Sequence, residues 1–435
     1  MSSANITEIG SAEFETKILN EKSPAVLDFY SDECAPCESL APKYEEMADL
    51  FGENVRFYKI FRQQNRELAN SLGVSSSPTV IFFKDGKETA ERLMGGIKKR
   101  ELLENISRMI PTDRFQAGIS KKKPSVKYAD VLILGGGPAG FSAAIYTSQA
   151  KLKTVIADPE LTGGQVKITH LISNYPGTGK AVNGYELMHN MLEQAKLSGT
   201  EIIAASDISE IQISENGQEH ILSLDGGDTT VRAKTLIIST GAKPRLLGVP
   251  GETEYRGQGI SYCATCDGKY YDNKEIVVIG GGNSAVEESL FLTRFADRVT
   301  VVQNLDRLTA NQTSVEKITS HKKVKIVYNQ TAYKFEKDDQ GRIIVGLLNL
   351  LSGEKSELKT DGVFIFIGMV PNTEGLPLSL ERDKGGYLVT DEDMKTNLKG
   401  VFAAGDVRSK RIRQAATAVG DGCVAGIMAA ALMAE

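Results

Sequence analysis

The chain has 435 residues, room for about three domains at roughly 150 residues each. It is 41% hydrophobic and 25% charged, which excludes a disordered or fibrous protein. The formal charge of −5 leaves no electrostatic footprint for nucleic acid or an anionic membrane surface. No unbroken apolar run reaches the roughly 18 residues of a membrane span, and no signal peptide is expected at the start, so the expected setting is cytoplasmic.

Residues 24–30 (Pro-Ala-Val-Leu-Asp-Phe-Tyr) read as a buried strand, Cys34-Ala35-Pro36-Cys37 follows, and residues 39–51 read as an amphipathic helix. A C-x-x-C that closes a strand and opens a helix is a redox arrangement: the helix N-terminus favours thiolate at Cys34, and Cys37, one turn on, can resolve a mixed disulfide. Residues 72–83 (LGVSSSPTVIFF) place Pro78 at the head of a β-branched strand, where proline is tolerated. Over residues 1–110 the chain resembles thioredoxin, through Cys34-Ala35-Pro36-Cys37, Asp28, Lys59, Pro78 and Gly95. The resemblance implies that Cys34 attacks disulfides, Cys37 resolves, Asp28 assists proton transfer and Pro78 is cis. Glu33 stands where the family carries tryptophan, and Ala35 where it carries glycine. A carboxylate beside the nucleophile opposes thiolate formation.

Residues 111–126, with two prolines and the run Lys121-Lys122-Lys123, read as a flexible, solvated linker spanning on the order of 20 Å.

Residues 130–134 form a strand, Gly135-Gly136-Gly137-Pro138-Ala139-Gly140 a glycine loop, residues 141–150 a helix and residues 154–157 a second strand ending at Asp158. This is a dinucleotide fold: Gly135, Gly137 and Gly140 (with Ala139) let backbone approach a pyrophosphate, and the acid suits a ribose hydroxyl. The pattern recurs as strand 275–279, the loop Gly280-Gly281-Gly282-Asn283-Ser284-Ala285, a helix to about 295 and strand 299–302, but the position of the acid is Gln303, followed by Asn304. NADP needs cations near its 2′-phosphate and Arg307 is the nearby candidate; the amides of Gln303 and Asn304 suit the ribose of NAD.

A second C-x-x-C, Cys263-Ala264-Thr265-Cys266-Asp267, precedes the second fold. Four thiolates from the two pairs would suit zinc, but most of two domains lies between them, so two redox pairs are expected. Cys423 is expected to be a buried structural cysteine. Residues 323–350 read as a hairpin or meander, and the four histidines have no metal-site spacing; no metal is expected.

From residue 127 to the end the chain resembles a low-molecular-weight, bacterial-type thioredoxin reductase. The resemblance rests on GGGPAG at 135–140, GGQ at 163–165, STGAKP at 239–244, CATCDG at 263–268, GGGNSA at 280–285, and VFAAGDV with RQAATA between 401 and 418. It implies FAD on the first fold, lined by Asp158, Gly163, Gly164, Gln165, Asn174, Gly241, Gly405, Asp406, Arg413, Gln414 and Ala415. It implies Cys266 against the flavin, Cys263 exchanging with the thioredoxin disulfide, and Asp267 as acid/base. Members that use NADPH carry His-Arg-Arg where this chain reads Val302-Gln303-Asn304-Leu305-Asp306-Arg307. NADH is therefore the favoured donor, with NADPH and reduced ferredoxin as alternatives.

The expected class is α/β: a thioredoxin fold (1–110), the linker (111–126), and two Rossmann-like domains for FAD (127–242 and 371–435) and pyridine nucleotide (243–370), the second inserted into the first. Electrons would pass from NAD(P)H through FAD and Cys263–Cys266 to Cys34–Cys37. The acceptor would be protein disulfides or, as for the flavoprotein subunit of alkyl hydroperoxide reductase, a peroxiredoxin. A homodimer, with hinges near 243 and 371, is expected. The reading from another class is a redox sensor or adaptor without turnover.

Overall fold

Ala25–Tyr30 is buried nearly throughout because both faces of its sheet are covered, which is why it reads as an apolar run rather than an alternating one. The structure is a computed structural model and describes residues 5–32, 34–169, 172 and 174–434, the side chains of Ile168 and Cys266 excepted. Ala25–Tyr30 pairs in parallel with Arg56–Phe61, which pairs with Ile6–Glu8, and antiparallel with Thr79–Lys84. Lys87–Glu88 and Leu93–Met94 extend the far side.

Helix α1 (Ala35–Phe51) begins earlier than the sequence pattern indicates. Pro36 sits in its first turn, where a missing N–H is harmless, and Cys34 caps it, its sulfur accepting from the Cys37 N–H at 3.2 Å. Helix α2 (Lys99–Met109) packs beside it.

The segment expected to be a flexible linker is instead largely ordered. Thr112–Ile119 forms helix α3, and the Phe115 ring stacks on Phe51 with centroids 5.3 Å apart. Gly118 allows this approach, since a Cβ there would stand 2.4 Å from the Phe51 ring. The lysines that follow are not simply solvated either: Lys121 pairs with Glu53 at 3.1 Å and Lys122 pairs with Asp228. Only residues 120–124 separate α3 from the next strand.

That strand, Ser125–Leu134, starts five residues ahead of the expected one and runs parallel to Thr229–Ile238 along its whole length. Its sheet orders Ile208–Gln212, His220–Leu224, Thr229–Ile238, Ser125–Leu134, Thr154–Asp158 and Glu201–Ala204, with helices α4 (Pro138–Gln149) and α5 (Gly184–Leu197) packed together on the core. Val401–Ala403 returns from far along the chain to pair with Leu236–Ile238.

Between these segments lies a second parallel sheet: Ile260–Ser261, Gly362–Ile365, Glu275–Ile279, Arg298–Val302 and Val324–Val327, carrying helix α6 (Asn283–Leu292). The expected meander resolves into Val324–Val327 of this sheet and a separate antiparallel sheet, Gln330–Lys337, Ile343–Asn349 and Lys355–Thr360. Where the chain enters and leaves the insertion, Ala242–Pro244 pairs antiparallel with Met369–Pro371.

Helix α7 (Ala415–Ala434) meets the length and composition of a membrane span, by those two criteria alone. Glycines, threonine and Asp421 interrupt its apolar pattern, so no unbroken apolar run of that length is read there. One side packs on α4, with Ala425 and Ala429 fully buried. Cys423 is half-buried rather than buried, with the Tyr146 hydroxyl as its hydrogen-bond partner.

Replacing Phe115 by Ala should cost about 2 kcal/mol locally, from the lost stacked ring. Amide hydrogen exchange should then lose protection across 112–119 while strand Ala25–Tyr30 keeps its own.

Candidate active site and nucleotide sites

Cys34 and Cys37 are joined as a disulfide, which leaves these sulfurs no role in a four-thiolate zinc site. The Cys34 sulfur lies 3.5 Å from the carbonyl oxygen of Ser77, and the Ser77–Pro78 bond is cis. Arg62 fixes that turn, donating to the Ser77 hydroxyl at 2.9 Å and the Ser75 carbonyl at 3.3 Å. Asp28, 3% exposed, is held in the strand behind with Lys59 in register beside it; its Oδ1 is buried without a hydrogen bond. Burial pushes its pKa up to about 7, against the smaller opposing pull of Lys59. Glu33 and the side chain of Cys266 lie outside the described residues.

The first glycine loop is drawn tight by its own backbone. Gly135 has φ +99°, and a Cβ on Gly140 would stand 2.0 Å from the Gly135 carbonyl oxygen. Asp158 accepts from the N–H of Gly136 at 2.8 Å and of Glu160 at 3.0 Å; burial nevertheless raises its pKa. Gly163 (φ +116°) donates to the Gly136 carbonyl at 2.7 Å, which brings the Gly163-Gly164-Gln165 turn over the loop.

The C-terminal segment closes the same site. A Cβ on Gly405 would stand 2.8 Å from the Ala139 Cβ, one on Gly422 2.1 Å from the Ala139 carbonyl oxygen, and one on Gly426 2.7 Å from that of Ala143. Asp421 receives the Gly405 N–H at 3.1 Å, Arg408 at 3.1 Å and Lys410 at 3.0 Å. The Arg413 guanidinium lies 3.9 Å over the Tyr387 ring.

Asp406 is half-buried; its Oδ1 takes no hydrogen bond, with the Lys410 ammonium 3.3 Å away, and burial raises its pKa. Beside Gly137 and Gly241 an added Cβ would meet nothing. Open space over two glycines, a helix N-terminus at Gly137 and an unbonded buried carboxylate oxygen fit the FAD that the resemblance implies.

Cys263 is disulfide-bonded, and its helix is tied to this site. The Thr265 hydroxyl stands 3.4 Å from the Cys263 sulfur and accepts from Gln414 at 3.4 Å; Gln414 accepts from Asn174 at 3.2 Å. Gln165 accepts from Arg256 at 2.8 Å. Asp267 receives the Ser261 hydroxyl at 2.6 Å, and the same oxygen accepts from the Cys263 N–H at 3.1 Å.

The second loop repeats the first with one change. Gly280 has φ +130°, Gly282 caps α6, Ala285 is buried where the third glycine would be, and Asn283 accepts from the Asn311 N–H at 2.7 Å. Ser284 is exposed on the first turn of α6. Gln303, 4% exposed, is turned under Gly281; its amide donates to the Arg307 carbonyl at 3.0 Å and accepts from the Asn304 N–H at 3.1 Å. It braces the 303–307 turn. Asn304, Leu305, Asp306 and Arg307 are exposed, and Arg307 lies 3.5 Å from the Asp306 carboxylate.

Sequence reasoning missed Ser261, Thr265, Tyr387, Lys410 and Asp421. Asp421 carried a signal, as the one charge in an apolar helix; Ser261 and Thr265 carried none. Among the described residues no cluster suited to a metal ion occurs.

The family model of the pyridine nucleotide-disulphide oxidoreductases matches residues 129–422, and that of thioredoxin matches residues 5–108. Thioredoxin reductase of Listeria innocua is 45% identical over 301 residues, covering 69% of this chain and 92% of that protein. A 34.2 kDa protein in the rubredoxin operon of Clostridium pasteurianum is 45% identical over 303 residues, 70% of this chain and 96% of that one. The crystal structure of thioredoxin reductase from Streptococcus pyogenes superposes with a TM-score of 0.65 at 38% identity, covering 71% of this chain and 98% of that one. The chain thus belongs to the pyridine nucleotide-disulphide oxidoreductases. Within them it is a thioredoxin reductase-type flavoprotein of the family that uses FAD and NAD(P)H, and it carries a thioredoxin domain of its own.

Two outcomes are expected. Gly422→Val should force α7 off Ala139 and at least halve the flavin-to-protein absorbance ratio of the purified chain. For Asp28, a native pKa of about 7 against 3.8 means that stability is fullest below pH ~4 and falls, by on the order of 4 kcal/mol, as pH rises through 7. Hydrogen exchange of strand Ala25–Tyr30 should track that loss, and Asp28→Asn should flatten it.

Proposed function

We propose that the protein reduces disulfides with electrons from NADH, passing them through FAD and Cys263/Cys266 to Cys34/Cys37 and on to protein disulfides. The observation that carries this reading is that one chain holds two disulfide-bonded cysteine motifs, one of them tied through Thr265, Gln414 and Asn174 to the FAD site. Bound FAD supplies two-electron exchange between a nicotinamide and a disulfide. The chain's own groups do the rest. The loop at Gly135–Gly140 and Asp158 hold the pyrophosphate and ribose side, and Asp406, Arg413, Gln414 and Ala415 the polyol side. With FAD bound, Cys266 would be the flavin-side sulfur of the pair and Cys263 the exchanging one. Asp267, held by Ser261, takes and returns the proton, as Asp28 does for Cys37.

The donor reading rests on the 303–307 turn. A 2′-phosphate would meet the exposed Asp306 carboxylate, and the nearest cation, Arg307, already faces it; NADH carries no such phosphate. Asn304, free of the bracing role of Gln303, is the group for the ribose, above the loop residues Gly280, Gly282, Asn283, Ser284 and Ala285. The thioredoxin domain runs through α3 to Ile119, the FAD fold takes 125–242 with 371–435 and the insertion 243–370, and the insertion swings about the paired strands Ala242–Pro244 and Met369–Pro371. The exposed side of α7, around Ile427, is the face for a homodimer, and the setting is cytoplasmic. A peroxiredoxin is the more specific candidate acceptor.

In an anaerobic titration NADH should bleach the flavin at lower concentration than NADPH; the reverse order refutes the donor assignment. Leu305→Arg with Asp306→Arg should raise kcat/KM for NADPH about tenfold, worth ~1.4 kcal/mol. Cys34→Ser should leave flavin reduction intact and remove turnover of protein disulfides; continued turnover would take the relay away from the thioredoxin domain.

A further inference from the structure

The redox face of the thioredoxin domain is turned inward. Cys34 is 7% exposed, and the next residue, Ala35, packs against the core of the first nucleotide fold. Gly96 lies on Leu161, close enough that a Cβ would stand 2.9 Å from it. The Ser39 hydroxyl donates to the Ala204 carbonyl at 2.9 Å. Lys43, on the same side of α1 and 7% exposed, gives its ammonium to the carbonyls of Ala204 at 3.0 Å, Ala205 at 2.7 Å and Ile97 at 3.1 Å. Around this centre Lys98 pairs with Asp207 at 3.0 Å, buried Lys99 bridges Glu46 at 2.6 Å and Asp228 at 3.2 Å, and Glu38 pairs with Lys196. Cys263 belongs to the other nucleotide fold.

We propose that Leu161, strand Glu201–Ala204 and the 205–207 turn form a docking surface for the redox face of the chain's own thioredoxin domain, and that the docked form is a closed state that withholds Cys34–Cys37 from dithiols. In thiol–disulfide exchange a thiolate attacks the Cys34 sulfur, the Cys34–Cys37 bond breaks and Cys37 leaves as a thiolate; a second thiol then releases Cys34 and leaves the reductant oxidised. That attack needs access to the Cys34 sulfur, which is 7% exposed and one residue from Ala35 in the docked face. The dock is built to part. Its centre is an ammonium among carbonyls rather than a dry apolar seam, its rim is ion pairs, and a cavity of about 400 Å³ remains between the domains, lined among others by Pro36, Pro42, Lys167 and Tyr185. Such mixed, imperfectly packed contacts resemble transient interfaces. Residues 120–124, about 17 Å when extended, are the pivot, and α3 travels with the thioredoxin domain through Phe115 on Phe51. Lys43 is the latch: removing its ammonium takes a donor from three carbonyls, of which only that of Ala204 keeps the Ser39 hydroxyl. This rests on the relay reading only in naming Cys263/Cys266 as the inner reductant.

The test uses the full chain without nicotinamide nucleotide. Cys34–Cys37 is reduced with an excess of a water-soluble phosphine, thiols are trapped by alkylation, and the Cys34 peptide is quantified by mass spectrometry over time. Lys43→Met should speed reduction at least fivefold over the unaltered chain, and small-angle scattering should give a larger radius of gyration. Asp207→Lys, which places a cation against Lys98 and Arg100 on the rim, should act in the same direction and serves if Lys43→Met fails to fold. Rates within twofold of the unaltered chain for the folded variants would overturn the closed state. Because phosphine bypasses FAD, Cys263 and Cys266, a failed relay and a failed dock give separate results.

Discussion

Helices α4 and α7 meet through Ala139, Ala143, Gly422 and Gly426, so close that a Cβ added at either glycine would collide with backbone, while one on Gly405, just ahead of α7, would meet the Ala139 Cβ. The FAD site depends on that approach. The loop at Gly135–Gly140 comes from one end of the reductase segment and Asp406, Arg413 and Gln414 from the other, and close packing of small residues brings them to one place. Asp421 adds the polar half of the joint, drawing the Gly405 N–H, Arg408 and Lys410 toward the seam. A charge inside an otherwise apolar helix is tolerable because it is paired on more than one side.

The two glycine loops solve the same geometric problem with different chemistry beneath them. Under the first, Asp158 is a carboxylate bonded to loop N–H groups; under the second, Gln303 is a neutral amide that spends both its ends on the 303–307 turn. Negative charge at the second loop has moved outward, to Asp306. The two cysteine motifs are likewise parallel in plan and different in setting. Asp28 is buried and unbonded behind Cys34–Cys37, whereas Asp267 is hydrogen-bonded to a hydroxyl that also holds the Cys263 backbone.

Sequence alone carried the chemistry well where backbone geometry dictates residue type. Glycine loops, a C-x-x-C at a helix start and a proline at a strand head are local constraints, and Gly135, Cys34 and Pro78 stand where such constraints place them. It carried tertiary context poorly. Helix α3 has only eight residues and two apolar contacts, Phe115 and Ile119, too few for a period, so it read as linker until Phe51 was there to receive it. Lys43, Lys98 and Lys99 look like solvated helix lysines, since nothing local says that Ala204, Asp207 and Asp228 will face them. The bracing role of Gln303 was not legible, because the sequence shows its position and not its rotamer.

The pairing of Val401–Ala403 with Leu236–Ile238 also has a consequence for synthesis on the ribosome. The thioredoxin domain and the whole insertion emerge before the last strand and helix α7 that complete the first nucleotide fold. At roughly 5–20 residues per second, translating the roughly 165 residues from Ile238 to Ala403 occupies on the order of 10–30 s, during which Leu236–Ile238 lacks its final neighbour. The inserted domain therefore completes its sheets before its host does, and the FAD site, which draws on Asp406 and the glycines of α7, is assembled late in synthesis. A chain cut short ahead of α7 would leave two finished domains around an open one, a species for quality control rather than for catalysis.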